Sequence, residues 1–222
     1  MGAQEYYGLI ASLPWLPPFE RAERLPINRQ RLEKRLRSLP PVEAQALFLA
    51  EDFLVWQRLM PMKSDRDVAD RYAYVLQETR QPGLKQFVEF QMEQRTILAA
   101  LRRQHLGFGP PGDGETWGVG DRVLWIKSHW DTPDFGLAKV YPWIPEAREQ
   151  IATENAIGLE RLQIDIQWIF LSHRAERDPF GFEGAYAYLF KWNLLNQWLF
   201  YDAAAAKERF ENLVLEVIDE HE

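Results

Sequence analysis

Ser128-His129-Trp130-Asp131 sets a hydroxyl, an imidazole and a carboxylate within four residues. These are the parts of a nucleophilic triad, in which a base activates a hydroxyl and an acid orients the base. Triads draw their members from separate stretches of chain, because adjacency in sequence does not give the geometry. The cluster supports an alternative reading, a small helical enzyme using His129 and neighbouring acids, without making catalysis the main expectation. Gly107-Phe108-Gly109-Pro110-Pro111-Gly112 spells the dinucleotide pattern G-x-G-x-x-G. That chemistry needs a strand before the glycines, a helix starting within them and amides free to meet phosphate. Here a helical pattern precedes and two prolines remove amides. No Gly-Lys-Ser/Thr occurs, so there is no ATPase-type phosphate loop.

Metal chemistry has little to build on. Helix bundles hold di-metal centres with Glu-x-x-His pairs. The four histidines are His105, His129, His173 and His221, and none has Glu three positions before it. His105 and His173 fall near the ends of helical patterns, where the helix dipole favours a cation. With no cysteine, disulfides, thiol nucleophiles and Cys-ligated metals are excluded. Glu51-Asp52 and the acidic residues 219–222 read as helix-surface charge. The expectation is a protein with no catalytic residue, metal or cofactor of its own.

The elements that would position any site are helices. Residues 178–184 are a turn-rich lead-in to a long helical pattern in which Leu189, Trp192, Asn196, Leu199, Ala203, Ala206, Phe210, Leu213 and Val217 recur at steps of three and four. Asn196 is then an amide in an apolar seam, where it can fix register. Aromatics nearly encircle residues 186–201, which implies burial on several sides, whereas 207–222 leave a narrow apolar face suited to a surface helix.

Upstream, 6–13 is a short apolar segment, strand or buried helical turn, stopped by Pro14, Pro17 and Pro18; 13–19 should be extended or turn-like. Asn28 is a plausible N-cap for 29–38. Pro40-Pro41 separates that segment from a helix over 42–59, and Met60-Pro61-Met62 ends it. Ser64 with Asp67 resembles a capping box for 65–80. A helix over 84–106 closes on Gly107 at C′. Residues 107–121 form the clearest loop, 122–130 a short helix and 132–145 an irregular stretch. One long helix over 146–174, with seam Ile151, Asn155, Leu159, Leu162, Ile166, Ile169 and His173, should pair with the C-terminal helix as an antiparallel hairpin. The expected class is all-α: a long-helix bundle with a short extended N-terminal segment. It divides into 1–106, a Gly/Pro-rich loop 107–121 and a helical hairpin 122–222, or forms one continuous domain.

Composition fits this class. A chain of 222 residues with 46% hydrophobic and 14% aromatic residues can bury a sizeable core. The net charge of −7 argues against nucleic acid as a partner. The first 16 residues lack a basic signal-peptide start, and no apolar run reaches the roughly 18–20 residues of a membrane span. A cytoplasmic protein is expected. Residues 20–37 carry seven basic against three acidic side chains, and 207–222 carry two against six. These are two solvated faces, or ends that meet each other or opposite charges on a partner.

Two segments carry a family resemblance. Tyr6-Tyr7-Gly8-Leu9-Ile10-Ala11-Ser12-Leu13-Pro14-Trp15-Leu16 resembles the start of a family of uncharacterised bacterial proteins encoded in operons for the archaeal/vacuolar-type (A/V-type) rotary ATPase. The stretch 178–198 resembles the last-domain helix of that enzyme's C-type subunit, the d-type subunit of vacuolar ATPases. The matching positions are the Tyr188-Leu189 pair and Lys191, and Asn193 stands where a glutamate would be expected. The resemblance implies an all-helical protein of this C/d type that performs no chemistry. It would join the central-stalk subunits to the proteolipid ring, at the inner face of the membrane and through protein contacts only. Tyr6, Tyr7, Leu13, Pro14 and Trp15, with Phe108 and Trp117 of the glycine-rich loop, are the candidate partner-binding residues. A helical scaffold unrelated to ATPases is the other alternative.

Overall fold

The computed structural model describes residues 3–55 and 64–219, with side chains for 6–55 and 64–201. It is all-α, and the described residues contain no strand. The helices are α1 (Ala3–Ser12), α2 (Arg29–Leu36), α3 (Pro41–Leu54), α4 (Asp65–Glu78), α5 (Pro82–His105), α6 (Val123–Ser128), α7 (Ile144–Ala152), α8 (Ala156–Arg177) and α9 (Phe182–Asp219). A 3-10 turn lies at Phe19–Arg21.

Local chemistry accounts for most boundaries. The Asn28 side chain accepts from the Arg31 amide, and Ser64 Oγ from that of Asp67, so both begin helices as N-caps. Pro41 and Pro82 occupy first turns, where a missing N–H costs nothing. At the end of α5, Gly107 takes φ +76°, the Gly107 amide donates to Gln104 O and the Phe108 amide to Arg103 O. That pair of bonds is a Schellman stop. α3 ends at Leu54, where Val55 turns extended, short of the expected 59; the expected breaker at 60–62 lies outside the described residues.

Of the two readings for 6–13 the helical one holds, and the proline-rich stretch after Ser12 leaves the helix as expected. Another expectation changes. The helix expected over 146–174 is two helices. Glu154 turns to φ +53°, the Asn155 amide reaches back to Gln150 O, and Asn155 Oδ1 accepts the Gly158 amide at 2.9 Å. Asn155 is thus the N-cap of α8 and not part of a buried seam. The lower seam fails too: Ile169 is exposed, and His173 is an exposed partner of Glu176.

The core lies in two clusters. The larger joins α1–α5 to the later part of α8 and the first half of α9, around Phe53, Phe87, Leu189 and Tyr186. The smaller joins the end of α5 to α6, α7 and the start of α8, around Ile97, Ile126, Phe135 and Ile144. α5 and α8 therefore run through both. Cross-helix pairs fix their direction: Gln86 meets Arg174 and Gln94 meets Gln167, an antiparallel register. Lys191 lies over the Trp168 ring and Gln197 bonds Glu160, so α8 and α9 form the expected antiparallel hairpin.

The start of α9 is buried on several sides, as its aromatics require. Trp192 Nε1 donates to Ile27 O at 2.8 Å, and the Phe19 ring lies 5.2 Å from Trp198 and 5.9 Å from Trp168. A Cβ on Gly184 would come within 2.6 Å of the Pro179 carbonyl oxygen, so the turn into α9 needs glycine there. Asn196 is exposed, not in the seam. The side chains of 207–222, acidic or apolar, lie outside the described residues. The opposing basic stretch is partly neutralised locally: Arg29 and Arg37 pair with Glu33.

Candidate functional site

Two regions have the composition of a site. The first is an aromatic face where α1 meets the start of α9. Tyr7 is exposed, and its ring lies 5.1 Å from that of Phe180, also exposed. Tyr188 Oη donates to Pro14 O at 2.7 Å; burial pushes its hydroxyl up to about 12. The bond crosses most of the chain and fixes the proline-rich stretch against α9. Trp15, next along, is 75% exposed. A tryptophan that open needs a reason, since large aromatics dominate protein interfaces.

Not every candidate faces outward. Tyr6 donates to Glu43 and packs on the larger cluster, as does Leu13. Phe108 is exposed, with its carbonyl accepting from Trp130 Nε1 at 3.2 Å. Trp117 is half-buried against the smaller cluster. The structure thus gathers Tyr6, Tyr7, Leu13, Pro14 and Trp15 with the start of α9. Phe108 and Trp117 belong to the other cluster's surroundings.

The second region is a cleft of about 1050 Å³ bounded by α5, α8, α9, the start of α4 and the loop 117–119. Thr96 Oγ1 ties that loop down: it donates to Val119 O at 2.9 Å and accepts the Val119 amide at 3.0 Å. A glutamine relay crosses one wall. Gln91 donates to Gln167, and Gln167 donates to Gln94 Oε1 at 2.9 Å. The relay leaves Gln91 Oε1 and Gln94 Nε2 buried without partners.

Arg95 lies beside this relay. Its guanidinium donates to Leu54 O and touches Met92 Sδ at 3.8 Å. Burial pulls it down to about 10, so it stays charged at neutral pH. Burial raises the Glu160 carboxyl across the cleft, partly offset by Gln197 and Arg102. Sequence reading missed Arg95; its signal was an arginine on the stripe Leu84, Val88, Gln91, Arg95, Leu98 of α5.

The Ser128–His129 pair does not assemble a triad. Ser128 Oγ lies 3.0 Å from His129 Nδ1, but each also lies within hydrogen-bond reach of Trp125 O. Ser128 O–H donates to that carbonyl, and among the described residues no carboxylate is hydrogen-bonded to the His129 ring to orient it as a triad acid would. The His129 ring stacks on Trp125 at 4.0 Å. Among the described residues, no group of three or more His, Asp or Glu could hold a metal ion, and no helix is long and apolar enough to cross a membrane. Glu51 is a correction of another kind: it is fully buried, not surface charge.

No curated protein and no solved structure matches the chain. Residues 56–221 match the model of a family described as protein of unknown function (DUF2764), and because that span covers most of its length, the chain belongs to this family.

Proposed function

We propose that the chain is a non-catalytic subunit or assembly factor of an A/V-type rotary ATPase, docking between central-stalk subunits and the proteolipid ring. It would work at the cytoplasmic side of the membrane through protein contacts. One observation carries the reading. The two segments that resemble ATPase-associated proteins, 6–16 and 178–198, are far apart in sequence yet form one surface. Tyr7 meets Phe180, and Tyr188 bonds Pro14. That surface exposes Tyr7, Trp15 and Phe180, side chains of the kind that anchor protein interfaces. Its bundle and 38-residue C-terminal helix, about 57 Å long, suit a spacer.

Affinity capture of the tagged protein from gently solubilised membranes of its own source tests this. Recovery of stalk subunits together with proteolipid is expected. Recovery of the protein alone would return the chain to a scaffold unrelated to ATPases.

A further inference from the structure

We propose that the cleft between α5, α8 and α9 binds a monocarboxylate with an apolar body, the carboxylate seated on Arg95. This goes beyond the docking role above and does not depend on it.

Arg95 has five N–H donors. One is taken by Leu54 O and another faces only the weak acceptor Met92 Sδ. Among the described residues, no carboxylate pairs with it. A guanidinium largely shielded from water, with no carboxylate beside it among the described residues, is costly, and such a charge in a cleft marks a candidate ligand site. Its planar fork matches a carboxylate with two parallel bonds.

The surroundings select the ligand class. The cleft is of a size that encloses a small organic molecule or the end of a peptide. Arg95 and Arg102 line it, and so do Glu160 and Asp65. Among the described lining residues two cations meet two carboxylates, a balance that favours one anionic charge on Arg95 over a phosphate dianion. Ile164, Phe190, Leu194 and Leu98 supply apolar wall, and Gln163, Asn193 and Gln197 supply amides for a polar substituent or a peptide group. A free organic acid and the C-terminus of a polypeptide share this chemistry.

Calorimetry on the full chain distinguishes them with octanoate, octanol, the peptide acetyl-Gly-Ala-Leu-Phe with a free C-terminus, and the same peptide as its C-terminal amide. Octanoate or the free-acid peptide should bind, identifying which source the cleft accepts. The matched alcohol or amide should bind at least tenfold more weakly. Arg95→Gln should abolish the preference for the acid. Asn196→Asp, on the exposed wall, adds an anion without disturbing the interior and should weaken binding about tenfold, so the test survives if Arg95→Gln folds poorly. Failure of both acids to bind the wild type would overturn the proposal, as would equal binding of acid and neutral analogue, or acid binding unchanged in either variant.

Discussion

Asn193 Nδ2 donates to Glu51 Oε1 at 2.8 Å, joining α9 to α3 inside the larger core. On its other side the Glu51 carboxylate receives both terminal nitrogens of Arg29, the Nη2–Oε2 bond being 2.7 Å. A buried carboxylate is tolerable only when its lone pairs are met in this way. The arrangement accounts for an amide rather than a carboxylate at position 193. A carboxylate at 193 would face Glu51, whereas an amide offers it a donor. Asn193→Asp should therefore destabilise the protein by about 2–3 kcal/mol at pH 7. The loss should shrink in acid, where the introduced carboxyl takes up a proton. Urea denaturation at pH 7 and pH 4.5 checks both parts.

The same ion pair should respond asymmetrically. Arg29 is 29% exposed at the side chain and Glu51 is 0% exposed. Its hydrogen bond to Glu51, more than burial or nearby charge, holds the Arg29 guanidinium above its ordinary range. Arg29→Met strands a buried anion and should cost about 3–5 kcal/mol. Glu51→Gln leaves an acceptor for Asn193 and an arginine that water can reach, so about 1–2 kcal/mol is expected. Equal losses in chemical denaturation would contradict this account of the pair.

Arg95 should behave in the opposite way. Its charge is largely shielded from water and, among the described residues, has no carboxylate beside it, so an apolar side chain of similar length should fit better. Arg95→Met is expected to gain about 1–2 kcal/mol, a rise in Tm of roughly 3–6 °C. Retention of the less stable residue is the pattern of a functional site. A lower Tm in the variant would mean that the bond to Leu54 O outweighs the cost of burial.

Glu160 gives a pH signature. Burial raises its carboxyl above the ordinary 4.5. A raised folded-state value means that the folded protein holds the proton more tightly than the unfolded chain. The group's contribution is then fully present below 4.5 and is lost as pH rises through the folded-state value. At neutral pH the ionised side chain is a net cost. Glu160→Gln should gain about 0.5 kcal/mol at pH 7 and nothing at pH 4, read from denaturant midpoints.

The parts of the fold legible from sequence were those governed by local chemistry. Asn28, Ser64 and Gly107 mark boundaries because their side chain or conformational freedom satisfies backbone groups within a few residues. The α8–α9 hairpin followed from apolar periodicity on both sides of a short turn. Asn155 and Asn196 were misread for one reason. Spacing of three and four does not reveal whether an amide continues a helix, caps one or faces water, and Asn155 caps while Asn196 is exposed. Glu51 was hidden because its partners, Arg29 and Asn193, come from 22 residues before and 142 after. The aromatic face was half legible. Trp15 and Tyr7 stood out by type, but their union with Phe180 and Tyr188 depends on how α9 packs across α1.

Trp15 offers the most direct test of the docking role, because its 75% exposure means that replacing it leaves the core intact. A photo-crosslinking benzoylphenylalanine at position 15, activated in cells of the protein's own source, would bond whatever covers that face. The account predicts a crosslink to a central-stalk subunit or the proteolipid of the rotary ATPase, absent when the same group replaces exposed Leu124 on α6. A crosslink only to proteins outside that enzyme, or the same pattern from both positions, would contradict it.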